Sequence, residues 1–259
     1  MPDRTGLQPG GPDLIERIRA RTPARVLVDR SGAAYRTGTQ LELREAHAAA
    51  KDAVRAEFEL ERDLGNRLVH EFNIFEVSTQ ARSKDEYLLR PDLGRRFTED
   101  AARTIEARCP HGTDLQIVIG DRLSVTSVAK QIPALLPPLT EQARERGWNA
   151  GQAFAVRYCR VGIMNHVGEL LRPQVVILLI GERPGLATAE SLSAYLAFQP
   201  RFGHTDAQRN LISNIHARGV SLQTAAPRIL NLAAQIVNEQ RSGVDLKEAF
   251  SNRALSPPD

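Results

Sequence analysis

The segment that decides the fold is Val175-Val176-Ile177-Leu178-Leu179-Ile180, followed directly by Gly181-Glu182-Arg183-Pro184-Gly185-Leu186. A run of six apolar, mostly branched residues is typical of a strand buried on both faces, as in a parallel sheet with helices on either side. In such sheets ligands bind beyond the carboxyl ends of the strands, where Glu182 and Arg183 would emerge. The proline and glycine that follow suit the central positions of a type II turn. The segment therefore predicts an α/β fold and the sheet edge at which a ligand binds.

The composition is that of an ordinary globular protein, with 259 residues, 42% of them hydrophobic and 25% charged. No apolar run approaches the ~20 residues that cross a membrane, and the first residues lack the apolar core of a secretory signal, so we expect a cytoplasmic protein. The net charge of +3 comes from 34 basic and 31 acidic residues with interspersed signs, which argues against a nucleic-acid-binding face. Cys109 and Cys159 match no metal or redox spacing.

The chain divides by its patterns into a flexible N-terminal segment over 1–20, a mainly helical region over 21–97 and a Rossmann-like domain over 98–259. Prolines and glycines crowd the start of the first segment and favour disorder. In the second, alanines and larger apolar residues recur at helical spacing over 41–61, which predicts a long helix. Residues 69–77 alternate only partly and predict either a strand or the end of a helix.

In the third region, strands alternate with helices, which is the pattern of βαβ units around a parallel sheet. The predicted strands cover 114–120, 154–158 and 175–180. The predicted helices cover 98–108 with Thr98 as N-cap, part of 129–147 after the pair Pro137-Pro138, 165–171, 188–198 and 224–240. The predicted fold is thus α/β, a Rossmann-like and mostly parallel sheet flanked by helices, with a smaller mainly helical N-terminal region.

Each predicted strand ends in a polar loop, and the carboxyl ends of parallel strands share one edge, so the loops can line one crevice. The loops are Gly120-Asp121-Arg122-Leu123-Ser124, Cys159-Arg160-Val161-Gly162 and the turn after Ile180. The structural alternative is that Asp121 caps a helix, Glu182 pairs with Arg183 or Arg160, and the glycines only make turns. The sequence contains no G-x-G-x-x-G, Walker lysine, G-x-S-x-G or H-E-x-x-H motif. The residues therefore predict a ligand-binding edge without a familiar catalytic or metal constellation.

Several motifs together resemble the light chain, or small subunit, of ethanolamine ammonia-lyase. They follow one another with similar gaps between residues 20 and 247. The motifs are Tyr87-Leu88-Leu89-Arg90-Pro91-Asp92-Leu93-Gly94-Arg95-Arg96, Ile119-Gly120-Asp121-Arg122-Leu123-Ser124, Val156-Arg157-Tyr158-Cys159-Arg160-Val161, 176–186, Glu190-Ser191-Leu192-Ser193-Ala194-Tyr195 and Ile212-Ser213-Asn214-Ile215-His216.

The resemblance implies a subunit of an adenosylcobalamin-dependent carbon–nitrogen lyase that converts ethanolamine to acetaldehyde and ammonia. It also implies a hetero-oligomer, in which the large subunit is a barrel that holds the substrate and carries the radical chemistry. The small subunit is expected to cover cobalamin at the subunit interface, and to contribute no catalytic residue of its own.

The resemblance places cobalamin contacts at Val161, Glu182 and Leu211. Val161 would offer backbone and apolar contact to the corrin edge, and Glu182 would accept hydrogen bonds from corrin amides. Relatives carry cysteine at the position of Leu211, so a contact there would be apolar or through the backbone. Further expected neighbours, unless they serve only for capping or ion pairing, are Asp121, Ser124 and Arg160.

The sequence contains no D-x-H-x-x-G signature, so the resemblance implies that cobalamin keeps its own base as the lower cobalt ligand. Relatives destined for bacterial microcompartments can carry an extended amphipathic N-terminus. Only residues 13–18 could serve that purpose here, which gives encapsulation little support. The alternative function is a stand-alone α/β module that binds cobalamin or a nucleotide without lyase activity and without a large partner.

Overall fold

A six-stranded sheet forms the centre of the molecule in the computed structural model, which describes residues 14–20, 26, 28, 30–183 and 188–249. Among these residues the strands are β1 (Arg30–Ser31), β2 (Ala34–Tyr35), β3 (Phe75–Ser78), β4 (Leu115–Gly120), β5 (Phe154–Arg157), β6 (Val175–Gly181), β7 (Leu192–Phe198) and β8 (Asn210–Ile215). The helices are α1 (Leu14–Ala20), α2 (Thr37–Arg55), α3 (Leu60–Leu64), α4 (Asn66–Glu71), α5 (Lys84–Leu89), α6 (Glu99–Arg108), α7 (Val125–Glu145), α8 (Ile163–Leu171) and α9 (Leu222–Glu239).

The strand order in the sheet is β3-β5-β4-β6-β7-β8, and β1 and β2 form a separate antiparallel hairpin. β3, β5, β4 and β6 are parallel, whereas β7 and β8 are each antiparallel to their neighbours. The predicted α/β class with a mostly parallel sheet is therefore confirmed.

Helices cover both faces of the sheet because successive residues of a strand point to opposite sides. On the α7/α9 face, these two helices share a core with Ile117 and Ile177 of the central strands. On the α6/α8 face, the other two helices share a core with Val118 and Leu178. Every residue of β4 and β6 is buried, as the continuous apolar run of β6 predicts.

The three predicted strands are confirmed as β4, β5 and β6, and they are neighbours in the sheet. Gly120 at the end of β4 pairs with Val156 of β5 and with Ile180 of β6. The carboxyl ends of the three strands are therefore level, and the loops that follow them emerge at one edge. Residues Pro184 to Ala187, which include most of the predicted type II turn, lie outside the described residues.

The predicted helix over 188–198 is wrong, because this segment contains strand β7. All seven residues of β7 pair with β6, and the side chains alternate between the two faces: Leu192, Ala194 and Leu196 join the α7/α9 core, whereas Ala197 joins the α6/α8 core. Leucine, serine and alanine carry little local preference for a strand. Pairing with the buried β6 decides the conformation instead.

The predicted start of α7 after Pro137-Pro138 is also wrong. α7 begins at Val125 and continues through Pro133 as well as this pair, to Glu145. A buried stripe spaced by three and four residues runs along the whole helix, and it includes Val128, Ile132, Leu135, Leu136, Leu139 and Ala143. Burial of this stripe on the sheet outweighs the local signal of the prolines to break the helix.

The N-terminal predictions have mixed outcomes. The long helix predicted over 41–61 exists as α2, but it begins and ends earlier, and α3 follows it separately. Segment 69–77 contains both of the predicted alternatives, the end of α4 and the start of β3. The division at residue 97 stays a prediction, although β3 precedes it and pairs with β5 in the sheet. Of the predicted flexible segment, residues 1–13 lie outside the described residues and the remainder forms α1.

Candidate functional site

Three residues other than glycine adopt left-handed backbone conformations at the carboxyl edge of the parallel strands. Arg122 follows β4 with φ 40°, Tyr158 follows β5 with φ 56°, and Asn214 lies near the end of β8 with φ 63°. Such conformations cost of order 1–3 kcal/mol each and concentrate at functional sites. The edge predicted from the sequence therefore holds three of the seven non-glycine residues with positive φ in the described part of the chain.

Glu182 joins the loop after β6 to β7 and β8. Its carboxylate accepts hydrogen bonds from Ser191 Oγ at 2.7 Å, from Ser193 Oγ at 2.5 Å and from the backbone N–H of Asn214 at 2.9 Å. Within the described residues these bonds replace the ion pair with Arg183 or Arg160 considered above. A carboxylate has about four acceptor positions, so Oε2, which accepts only from Ser191, keeps capacity for another donor.

Leu211 lies on a part of the sheet that helices leave open. It pairs with Tyr195 of β7, and both side chains project from the α6/α8 face. The helices that contact β7 and β8 most are α7 and α9, which pack on the opposite face. Leu211 is consequently 46% exposed, and Ser213 beside it is exposed as well. The surface formed by Tyr195, Leu211 and Ser213 is named the open surface below.

Val161 lines a cavity of about 540 Å³ beside the open surface. Segments 91–96, 160–165 and 202–209 form its walls together with Arg122 and Tyr195. Gly162, which precedes α8, has no room for a side chain, because a Cβ atom there would lie 2.9 Å from Arg95 Cγ. Tyr195 belongs to both the cavity and the open surface, so the two are continuous.

Val161 lines the cavity, Leu211 pairs with Tyr195, which also lines it, and Glu182 lies at the adjoining edge. Tyr195 is the residue that the cavity and the open surface share, whereas Val161 is 9% exposed and packs in the α6/α8 core as well. Glu182 does not line the cavity, but it holds the adjoining edge through Ser193 and Asn214. The cobalamin contacts of all three residues stay predictions.

Arginines dominate the cavity, and most of them were missed from the sequence. Arg160 was an expected neighbour, but its companions were not; they are Arg95, Arg96, Arg122 and Arg209. Three of these four lie inside motifs that carry the family resemblance, and that position was the only indication in the sequence that they belong to the site. Arg209 lies between two motifs, and no local pattern distinguishes it from the other arginines of the chain. We name this space the arginine cavity.

Ser124, rather than Asp121, caps the helix that begins at this edge. The Ser124 hydroxyl accepts a hydrogen bond from the first turn of α7 and donates one to the carbonyl of Ala189 at 2.5 Å. The Asp121 carboxylate instead accepts from the backbone N–H of Cys159 at 2.9 Å and lies 3.8 Å from Lys84 Nζ. Burial raises the pKa of Asp121, and the charge of Lys84 opposes that rise. Asp121 is therefore an internal brace between the first two loops.

Comparison with known proteins confirms the family that the sequence motifs resemble. The sequence profile of the ethanolamine ammonia-lyase light chain matches residues 12–247. The chain belongs to the ethanolamine ammonia-lyase light-chain family. An ethanolamine ammonia-lyase small subunit of Clostridium perfringens is 40% identical over 230 residues, which are 89% of this chain and 76% of that protein. Light chains of the same name from Clostridium acetobutylicum and Listeria monocytogenes are 37% and 39% identical, and the alignments cover 94% and 77% of their lengths.

Two further properties of this light-chain family member concern the described segments alone. None of the helices in them is long and apolar enough to span a membrane. They also contain no group of three or more histidine, cysteine or acidic side chains arranged to hold a metal ion. Both cysteines are buried and free, and burial raises the pKa of Cys109 to about 11.

Proposed function

We propose that this chain is the small subunit that covers adenosylcobalamin where it meets the large, catalytic subunit of ethanolamine ammonia-lyase. One observation carries the proposal: in a member of this family, Tyr195 joins the cavity that Val161 lines to the open surface that contains Leu211, beside the edge held by Glu182. The reaction is the conversion of ethanolamine to acetaldehyde and ammonia.

The residues of this surface suit a corrin ring. A corrin is a broad macrocycle with apolar faces and a rim of amide side chains, so it needs wide apolar contact and a few polar groups. Leu211 and Tyr195 supply most of the apolar contact, Val161 adds the 9% of its surface that is exposed, and the remaining acceptor position of Glu182 Oε2 suits an amide N–H. The fit supports the predicted cofactor.

When bound, adenosylcobalamin supplies the radical that begins the reaction through its cobalt–carbon bond. The residues of this chain bind and orient the cofactor and keep water away from it. Glu182 fixes the spacing of the loop after β6 from β7 and β8, so that the polar edge and the apolar surface keep one geometry. The substrate site and the hydrogen transfer belong to the large subunit, and we expect the complex in the cytoplasm.

The proposal is tested by co-expressing the chain with its large subunit and measuring acetaldehyde release and cobalamin binding, the latter by absorbance titration. We expect activity only from the complex. Leu211→Glu should weaken cobalamin binding by about tenfold or more, because a carboxylate would lose water without gaining a partner. The matched control is Leu89→Glu, at a leucine that is 81% exposed on α5, and it should bind normally.

Two results would contradict the proposal. One is a well-folded complex that neither binds cobalamin nor releases acetaldehyde. The other is an isolated chain that binds cobalamin as tightly as the complex does, which would favour the stand-alone binding module.

A further inference from the structure

The arginine cavity holds more positive charge than the protein itself neutralises. Of its five arginines, Arg209 pairs with Asp206, whereas Arg160 donates to a carbonyl, that of Tyr87 at 3.1 Å. Arg95, Arg96 and Arg122 form no ion pair with any described residue. The other carboxylate of the cavity, Asp92, is already paired with Arg90 at 2.7 Å. Uncompensated cations that face one cavity create a potential that attracts an anion.

Several polar atoms around the cavity are buried without a partner. Within the described residues, the Nε atoms of Arg122, Arg160 and Arg209 and the Nδ1 atom of His204 have no hydrogen bond. The Arg209 side chain is only 5% exposed, and burial lowers its pKa. Burying a guanidinium with incomplete hydrogen bonding costs free energy unless another charge compensates it. Asp206, the partner of Arg209, is itself 87% exposed, so a bound anion would add the acceptors that the buried guanidinium groups lack inside the cavity.

Two of the half-buried arginines, Arg160 and Arg209, are held in place by their neighbours. The Arg160 guanidinium lies 4.2 Å from the centre of the buried Tyr87 ring, which stacks against it. Arg209 donates to Asn165 Oδ1 at 3.0 Å, on the first turn of α8. The N-terminus of α8 also faces the cavity and has no acidic residue in its first turn, so its dipole adds to the positive potential. The cavity is therefore organised before any ligand arrives.

We propose that the arginine cavity binds the phosphodiester of the nucleotide loop of cobalamin, chiefly through Arg160 and Arg209. This inference rests on the proposed function. The phosphodiester is the one anionic group in the conjugate of corrin, aminopropanol, ribose and base, and guanidinium groups bind phosphate oxygens through paired, charge-assisted hydrogen bonds. Continuity of the cavity with the open surface through Tyr195 allows one ligand to occupy both. The substrate is a cation at neutral pH and would be repelled from this cavity.

The test compares three corrins on the complex with the large subunit: cobalamin, cobinamide phosphate and cobinamide. Cobinamide lacks the nucleotide loop, and cobinamide phosphate restores the phosphate without ribose or base. We expect the wild-type complex to bind cobinamide phosphate about tenfold or more tightly than cobinamide, with a preference that shrinks as ionic strength rises. Equal binding of these two ligands by the wild-type complex would overturn the proposal, and this comparison requires no variant.

Variants of the arginines then show which residues are responsible for the preference for the phosphate. Arg160→Gln and Arg209→Gln should each weaken binding of cobalamin and cobinamide phosphate by about tenfold or more and change binding of cobinamide by less than about twofold. The matched control is Arg144→Gln on α7, at an arginine whose side chain is 75% exposed and paired with Glu141.

Other outcomes separate the alternatives. Equal weakening for all three corrins would mean that the arginines only support the corrin surface, and would overturn the proposal. Weaker subunit association with unchanged corrin affinity would mean that the cavity holds an acidic segment of the large subunit, which also overturns it. A wild-type complex that binds no corrin would instead contradict the proposed function itself.

Discussion

Lys84 and Asp121 form a buried pair that connects α5 to the loops after β4 and β5. Their side chains are 6% and 1% exposed, and Lys84 also donates to the carbonyl of Arg122 at 2.9 Å. Burial favours the protonated carboxyl of Asp121 and raises its pKa, whereas the ammonium group of Lys84 favours the carboxylate. The pair therefore holds this edge together only while both partners are present.

Lys84→Met should destabilise the protein by about 3 kcal/mol or more at neutral pH, because the Asp121 carboxylate would stay buried without its counter-charge. The folded-state pKa of Asp121 would then lie still further above the unfolded value. Folded protein would keep a proton that the unfolded chain releases, so stability relative to wild type falls as pH rises above the unfolded carboxyl pKa of about 4. Urea unfolding at about pH 5 and about pH 8 measures the difference. Lys84→Met/Asp121→Leu should recover much of the loss, and a loss independent of pH would contradict this account.

Substitutions of Glu182 separate its structural role from its predicted contact with cobalamin. Glu182→Gln can still accept from Ser193 and Asn214, and the Ser191 hydroxyl can turn to accept from the amide. We expect it to change the free energy of unfolding by less than about 1 kcal/mol, but to weaken cobalamin affinity without slowing the reaction at saturating cofactor. Glu182→Ala should cost about 1–3 kcal/mol, since it leaves polar groups without their acceptor. Unchanged affinity in Glu182→Gln would mean that the backbone, or nothing at this position, contacts the cofactor.

Among the elements, α7 shows how tertiary burial overrides a local signal. The helix contains three prolines, and prolines ordinarily indicate the start or the end of a helix. The apolar stripe that includes Ile132, Leu136 and Leu139 was equally visible in the sequence, and it predicts the observed helix when given more weight than the prolines. β7 is a second example, because its conformation depends on pairing with β6. The sequence of the β7 segment alone does not predict that pairing.

Two substitutions in adjacent positions of α7 should act in opposite directions. Pro137→Ala supplies an N–H that can donate to the carbonyl of Pro133, so we expect it to stabilise the protein by about 1 kcal/mol. Leu136→Ala removes a fully buried side chain and should destabilise it by about 2–5 kcal/mol. Urea unfolding of both variants checks the prediction. Destabilisation by Pro137→Ala would show that packing of this half-buried proline matters more than the missing hydrogen bond.

For the whole molecule, the sequence predicts the layers of the fold but not the surface on which its function depends. A continuous apolar run marks β6, and a run interrupted only by the buried Gln116 marks β4, because strands covered on both faces are mostly apolar. The open surface arises from two antiparallel strands with one uncovered face. The arginine cavity is assembled from segments 91–96, 160–165 and 202–209, which are distant in sequence. Such a site follows from the strand order, and no local pattern contains it.

Hydrogen exchange of the β8 amides can test whether the open surface is covered in the assembled enzyme. It is the last strand of the sheet, so one edge lies outside the ladder, and residues such as Leu211 and Ser213 are exposed on one face. Amides at such a position exchange with solvent through small local openings. We expect hydrogen exchange over 210–215 and 158–163 to slow by about tenfold or more when the large subunit and cobalamin are added, because both would close over these segments.

Helix α9 is the internal control for this exchange experiment, since it packs on the opposite face of the sheet and many of its central residues are buried. Mass spectrometry of the isolated chain, the complex and the complex with cobalamin separates the effect of the partner from that of the cofactor. Slower exchange that appears only with cobalamin would assign the open surface to the corrin, and slower exchange with the large subunit alone would assign it to the subunit contact. Unchanged exchange in β8, with slowing elsewhere on the chain, would move the interface away from Leu211 and remove the structural basis of the proposed function.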